Sequence, residues 1–554
     1  MKPQLSKMHP YVPEANELLR QGRISRREFL RLATLLGTSY ATAQVLAACG
    51  ATPTPAPVAP ATTGGIKRGG TIRAHMQLIK LDHPARYSWI FDSNVTRHTN
   101  EYLTETARDN ITHPLLLEKW EASEDLKTWT LTLRSGIKFN NGDALTTDHV
   151  IFTMNQWLDP EVGSSILGLM SYLQPTGIEQ VDDLVLRLHL DSPQIAVPEH
   201  LFHYPAQILH SSFEGDLSTN PIGTGPYTLT EYVEGERAVL KRRADYWMPG
   251  ADGQSLPYLD EINYVDLGSE QTAAIAAIQG GQIDTIYDAQ ATTFQALRED
   301  SSVQIVSVPT AQVRVLRFRV DLDPWKDNRV RQAFKAIFNR DKILQAAYFG
   351  EAAVGQDVHV AQIHPEYATL PTPPYDPDKA KALLADAGFP DGLDVTLTSS
   401  DEWSDVGVMS EVIKEDAAPG GFNVTINNVP QSSYWEQWTE VDLGITPWTH
   451  RPLGTMVLSL AYIADSEGVP VPWNESRWVD DEFSTLLREA EGTLDVEARR
   501  AIMAKLEAIQ QDRGSVGITY WQNSWMIANP KFQGLTGHPT DYHLWNDVWY
   551  DPEA

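Results

Sequence analysis

The hydrophobic and polar positions of this chain fall into three regimes, and most of its length has the mixed pattern of an α/β protein. Thr128-Trp129-Thr130-Leu131-Thr132-Leu133-Arg134 alternates polar and apolar residues, the period of a strand with one buried face. Ser135-Gly136 and Asn140-Asn141-Gly142-Asp143 then turn the chain. Thr146 or Thr147 caps a predicted helix through Asp148–Trp157. Leu81-Asp82-His83-Pro84-Ala85 reads as a turn after a first strand. A strand is predicted over Val424–Val429 and a helix over Tyr434–Thr439, whose Trp435 and Trp438 read as core. Asp480–Ala490 and Val496–Gln511 repeat apolar residues at helical spacing with charged outer faces, so both read as structural helices. Gly517–Asn523 reads as a late strand.

The second regime is N-terminal. Ser25-Arg26-Arg27-Glu28-Phe29-Leu30 matches the twin-arginine export pattern, with the paired arginines Arg26 and Arg27 as its signal. A moderately apolar run from Leu32 to Ala48 follows, too short and too polar for a membrane span. It ends in Leu46-Ala47-Ala48-Cys49, which resembles a lipoprotein processing site: small residues, then a cysteine whose thiol takes a lipid. Residues 1–48 are therefore expected to be a signal peptide set apart from the folded body, with Cys49 as the lipid-anchored residue. The third regime is 49–65 and the residues just beyond. Prolines at 53, 55, 57 and 60 make this an extended tether that cannot pack a core. Folded structure is expected from near Gly70.

About 485 residues remain, enough for two or three domains. The formal net charge is −29, with 73 acidic against 44 basic residues. Residues 1–48 carry net positive charge, so the remainder is more acidic still. Such a field disfavours nucleic acid as a partner. Cys49 is the only cysteine of the chain, which excludes an intramolecular disulfide and a multi-cysteine metal site. The histidines, His149, His203, His210, His359, His364 and His450 among them, lack metal-ligand spacing. Nucleophile-elbow, zincin, Walker and dinucleotide-binding motifs are missing as well. Gly223-Thr224-Gly225 lacks the third glycine and following helix of a phosphate loop, and reads as a turn.

The blocks Pro114–Trp157, Asn220–Tyr227 (NPIGTGPY), Arg243–Trp247 (RADYW), Gly281–Asp284 (GQID), Asp327–Ile343 and Tyr375–Phe389 (YDPDKAKALLADAGF) occur in the order seen in extracellular solute-binding protein family 5. The chain resembles that family over essentially its whole folded length. The resemblance implies a two-lobed, type II-like periplasmic-binding-protein fold with an inserted domain and a hinged cleft. Lobe I would comprise 66–110, 222–312 and 515–554, the inserted domain 111–221, and lobe II 313–514. The implied function is binding without catalysis or cofactor. A monomeric protein, exported and lipid-anchored, would capture a peptide-like or other small polar solute and deliver it to the permease and ATPase subunits of an ABC importer.

Site residues follow from the same resemblance. Peptide-binding relatives carry a Trp-x-x-Asp segment whose carboxylate meets the ligand's ammonium. Gly444–Thr455 (GITPWTHRPLGT) keeps the tryptophan as Trp448 and puts Arg451 in place of the acid. An arginine there suits an acidic group and repels an amine. Trp448, His450, Arg451, Trp473 and Asn474 are the expected ligand-binding residues. His200–Tyr204 (HLFHY) in the inserted domain is a further segment within reach of the cleft rim.

Overall fold

The computed structural model describes residues 8–48, 65–465 and 467–554. Cys49 and the proline-rich stretch lie outside the described residues.

One mixed eleven-stranded sheet runs through most of the body. At one end Thr71–His75 pairs in parallel with Glu261–Val265 and Thr285–Ile286, and the hairpin Tyr227–Val233/Arg237–Arg242 extends that edge. At the other end Leu393–Ser399, Phe422–Asn428 and Leu443–Trp448 form a second cluster. The two ends are joined by a pair of long antiparallel strands, Gln304–Phe318 and Val516–Ala528. Both clusters hydrogen-bond to this pair, so it is the link between the two lobes. Its register shifts between Pro309 and Gln312 and again between Val313 and Val315. Bulges bend a strand and raise its local twist, which places the pliable part of the link beside the cleft.

A separate four-stranded antiparallel sheet forms wholly within the chain between the lobe I strands. Its strands are Leu117–Ala122, Thr128–Leu133, Val185–Leu190 and Leu173–Gln180, paired in that order. Trp129, Leu131 and Leu133 alternate inward, as the sequence period requires. The turn at Gly223-Thr224-Gly225 returns the chain to lobe I, pressed against His98-Thr99; a Cβ at Gly223 would lie 1.9 Å from the Thr99 carbonyl oxygen. A second core cluster buries Phe318, Phe334, Ile337, Leu397, Ile413 and Ile445 of lobe II together with Ile278, Ile283, Ile286 and Leu297 of lobe I.

The N-terminal segment departs from expectation. It forms three helices, Tyr11–Arg20, Arg26–Leu35 and Tyr40–Ala48, packed on the body. Val12, Ala15 and Leu19 of the first and Phe29, Leu30, Leu32 and Ala33 of the second are buried. The second opens on a capping box in which Ser25 and Glu28 exchange backbone hydrogen bonds. Trp120 donates its indole N–H to the Leu35 carbonyl at 2.8 Å, and Tyr11 donates its hydroxyl to Asp495 at 3.0 Å. In the uncleaved chain the described structure thus starts ahead of Gly70, at residue 8, and the apolar faces of these helices find a partner surface on the inserted domain and lobe II. Arg26 and Arg27 are exposed, and Arg27 reaches only the Asp109 carbonyl. No helix among the described residues is long and apolar enough to cross a membrane.

Candidate functional site

A cavity of about 360 Å³ lies where the lobes and the inserted domain meet, within the size range of small-molecule sites. Lobe I supplies Trp89, Phe91, Tyr287, Asp288 and Asp541; the inserted domain supplies Tyr204. Lobe II and the linking strand supply Gln312, Arg314, Trp403, Trp435, Trp438, Trp448, Arg451 and Trp473. Each position follows from local structure. Trp448 ends the strand Leu443–Trp448 and Arg451 lies in the loop just after it. Gln312 and Arg314 share one face of the linking strand, while Val313 and Val315 point into the core. Trp435 lies on the short helix Gln431–Gln437 and Trp89 precedes the helix Ile90–Thr96.

The rings form a connected wall. Phe91 stacks on Trp89 with centroids 5.3 Å apart. Trp89 meets Trp435 across the cleft, edge to face at 4.3 Å. Trp435 then contacts Trp438, Trp438 contacts Trp473, and Trp473 contacts Trp448, at 5.7, 6.4 and 5.8 Å. Close to the Trp89–Trp435 contact, the Ser404 amide donates to Gln290 Oε1 at 3.1 Å, and Gln290 Nε2 donates to the Glu402 carbonyl at 3.4 Å. The lobes are therefore in contact over the cavity.

Trp448 is held in place by Glu475. The Glu475 carboxylate accepts from Trp448 Nε1 at 2.8 Å, Thr446 Oγ1 at 2.5 Å and Arg317 Nε at 2.9 Å. Arg317 is fully buried and also donates to the Val441 and Trp438 carbonyls. One buried ion pair thus fixes a wall tryptophan and the end of the helix that carries its neighbour.

Arg451 is 3% exposed and lines the cavity. Its Nη1 donates to Thr449 Oγ1 at 2.5 Å and to the His450 carbonyl at 3.0 Å, and its guanidinium lies over the rings of Tyr204 and Trp473. Its Nε has no hydrogen-bond partner. Among the described residues no carboxylate lies within 4.0 Å of it. Burial, then the Arg451 charge, hold the His203 pKa well below its ordinary value, and burial does the same for His359 and His450. The neighbouring imidazoles are thus neutral, and Arg451 is a lone buried charge.

Of the five residues expected at the site, Trp448, Arg451 and Trp473 line the cavity. His450 and Asn474 do not, and both are framework. His450 accepts from the Ala311 amide through Nδ1 at 2.9 Å, and its Nε2 meets Asn110 Oδ1 at 3.2 Å. Asn474 is fully buried and ties its own loop by donating to the Ile463 and Trp478 carbonyls. Conversely, Trp435 and Trp438, expected in the core, face the cavity. Asp288, Asp541 and Trp89 lacked any sequence signal, because nothing local separates a cavity-facing side chain from an exposed or buried one. Tyr204, from the HLFHY segment, does reach the cavity. Among the described residues no cluster of three or more His, Cys, Asp or Glu could hold a metal ion.

Two lobes linked by a bulged strand pair meet around an aromatic cavity of small-molecule size. Residues 112–465 match the family model for bacterial extracellular solute-binding proteins, family 5. The chain belongs to that family, the solute-binding components of ABC importers. It is 26% identical over 404 residues to the glutathione-binding protein GsiB of Pectobacterium atrosepticum, spanning 69% of this chain and 74% of that one. GsiB of Shigella flexneri is likewise 26% identical over 422 residues, 72% of this chain and 78% of that one. Among solved structures, DppA of Helicobacter pylori in complex with the peptide STSA matches with a TM-score of 0.78 at 20% identity, covering 88% of this chain and 99% of that one. AgaA of A. tumefaciens R10 in complex with agropinic acid gives the same values. NikA of Staphylococcus aureus in complex with Ni(L-His)2 matches with a TM-score of 0.75 at 18% identity, covering 87% and 100%.

Proposed function

We propose that this protein is the lipid-tethered receptor of an importer for a small polar solute carrying an acidic group. The observation that carries the reading is Arg451, a buried guanidinium on the cavity wall with no carboxylate partner among the described residues. A buried charge without a partner is costly, and a ligand carboxylate or phosphate supplies the partner with bidentate geometry. The tryptophan wall packs the ligand's apolar surface. Twin arginines at Arg26-Arg27 and the small-residue segment before Cys49 support export and lipid attachment, and the proline-rich stretch supports a tether of tens of ångströms. The closed form would then dock on the permease and release the solute. Relatives named for glutathione, peptides and agropinic acid, all solutes with acidic groups, are consistent with this assignment.

Calorimetric titration of the purified protein with small peptides, organic acids and acidic conjugates, each beside its amide, tests the reading. Charge-assisted hydrogen bonds contribute about 1.5–3 kcal/mol each. Amidation of the acidic group, or Arg451→Gln, is therefore expected to weaken binding roughly 10- to 150-fold. Equal affinity for acid and amide would overturn it. Loss of membrane association in Cys49→Ala would test the anchor separately.

A further inference from the structure

The cavity has a second charged pole on lobe I. Asp288 follows the short strand Thr285–Ile286 with φ 49°, and Asp541, on the C-terminal segment, has φ 55°. Left-handed backbone is uncommon for a non-glycine residue, and aspartate tolerates it better than most. It turns both carboxyl groups toward the cavity. Asp541 accepts from Gln312 Nε2 and Ser524 Oγ. Asp288 accepts no hydrogen bond from the described residues and is open to the cavity. Arg314, the neighbouring cation, is committed to a different acid: its Nε and Nη2 donate to Asp405 at 2.8 and 3.1 Å. Asp405 also accepts from Tyr520 and Gln522. At this pole three carboxyl groups share one guanidinium. Burial, then the Asp288 charge, push Asp541 up to about 7, and burial raises Asp288. Asp288 and Asp541 line the cavity from lobe I and Arg451 lines it from lobe II, so the two poles stand on different lobes. Trp89, Phe91 and Tyr287 line the cavity on the same lobe, and aromatic rings beside a carboxylate favour a desolvated cation.

An acidic pair alone would say little. Here it shares its cavity with Arg451, buried and with no carboxylate partner among the described residues. One cation without a counter-ion and one carboxylate without a donor line the same cavity. We infer that Asp288 and Asp541 form a cation subsite that takes the ammonium group of the ligand, so that the solute is an amino acid derivative or short peptide whose amine and acid lie several bonds apart. The acid at Arg451 rests on the function proposed above; the subsite does not. An amine, repelled at position 451 on lobe II, is thus received from lobe I.

The test is titration of the full chain with a panel of linear ω-amino acids of increasing length and short peptides with free amino termini, each beside its N-acetylated and its amidated form. The expected result is tightest binding at an intermediate length and at least tenfold weaker binding after acetylation. Asp288→Asn and Asp541→Asn should weaken the amino compounds and leave the N-acetylated acids unchanged, while Arg451→Gln should weaken the acids and leave the amidated amines unchanged. Far-ultraviolet dichroism and melting curves verify that each variant is folded; for one that is not, acetylation of the ligand on the unaltered protein carries the test. Binding that depends on the acid but not on the amine overturns the subsite and leaves the Arg451 reading standing. Binding sensitive to Asp288→Asn but not to Arg451→Gln does the reverse. Absence of binding by the whole panel at millimolar concentration overturns both.

Discussion

Removing the charge of Glu475 should unfold part of the wall that carries Trp448. Glu475 is buried, and its carboxylate accepts from Arg317, Thr446 and Trp448. Arg317 has no other carboxylate within 4.0 Å among the described residues. In Glu475→Gln the shape is kept while the fully buried guanidinium loses its counter-ion. Breaking a buried pair from one side costs about 3–5 kcal/mol, because the remaining charge stays desolvated. The carbonyls of Val441 and Trp438 still accept from Arg317, so the lower end of that range, about 3 kcal/mol, is expected. Replacing both partners by apolar residues of similar volume, Arg317→Met with Glu475→Leu, should recover much of the loss. Urea denaturation followed by tryptophan fluorescence measures all four corners of the cycle. Ligand affinity should fall with Glu475→Gln even where the protein remains folded, since Trp448 loses the acceptor that orients it. A Glu475→Gln change below about 1 kcal/mol, or a double variant as damaged as the sum of its parts, would refute the reasoning.

Three further outcomes follow from the structure. Burial pushes the pKa values of Glu101, Glu199 and Glu491 to about 7 and of Glu507 to about 9, and lowers those of His98, His200, His364 and His538 to about 3. Between the ordinary Glu and His values of 4.5 and 6.5 the two sets, four groups each, cancel; above 6.5 only the carboxyl groups differ, the native state holds more protons, and stability falls as pH rises toward about 9, which melting curves from pH 5 to 9 should show as a plateau up to about 6.5 followed by a decline. Trp89→Ala removes the ring contact across the cleft, worth about 0.5–1.5 kcal/mol beyond its area; small-angle scattering should show a more open protein and titration a weaker ligand, with little change in the denaturation midpoint. Gly223→Ala sets a Cβ against the Thr99 backbone and should cost at least ~1–3 kcal/mol of stability by overpacking, read by the same denaturation assay.

Much of the scaffold was legible in the sequence. The alternation of 128–134 appears as the strand Thr128–Leu133, the helix expected after Thr146 as Thr147–Leu158, though Thr146 makes no side-chain capping bond, and the late helices as Asp481–Glu491 and Val496–Arg513. These are segments whose period directly reports one buried face. The cavity was legible only in part. Trp448 and Arg451 were found because a family segment marks them, and Arg451 because it departs from that segment. Trp435 and Trp438 were misplaced, since a helix face turned to an aromatic cavity has the same apolar spacing as one turned to a core. His450 and Asn474 have side chains able to serve a ligand, but the loops that carry them have backbone groups to satisfy, and their ring and amide nitrogens are used there. Asp288 and Asp541 are brought together from distant parts of the chain by the sheet, which no local pattern records. The N-terminal helices add what the export-type motif did not record: in the uncleaved chain their apolar faces bury against the body.

The two charged poles bear on how closure is controlled. Contacts that join the lobes over the cavity include Trp89 with Trp435, Gln290 with Ser404 and Glu402, and Thr292 with Ser404. Each is worth on the order of 1 kcal/mol. Against them stands the cost of burying Arg451 without a counter-ion. These terms are of comparable size, so the balance between open and closed forms is decided by what the solute adds. A ligand shifts such an equilibrium only by its difference in affinity for the two forms. Stacking on tryptophans of lobe II is available in the open form and discriminates little. The charge matches require both lobes at once, because Arg451 belongs to one and Asp288 to the other. A solute lacking either group can bind the open form and still leave the lobes apart, which is discrimination by an uncompensated charge rather than by a clash. The tryptophans set how tightly a solute is held, and the charges set whether holding it closes the protein. Neutralising Arg451 should separate the two: solutes that still bind through the rings should no longer produce the compact form in scattering.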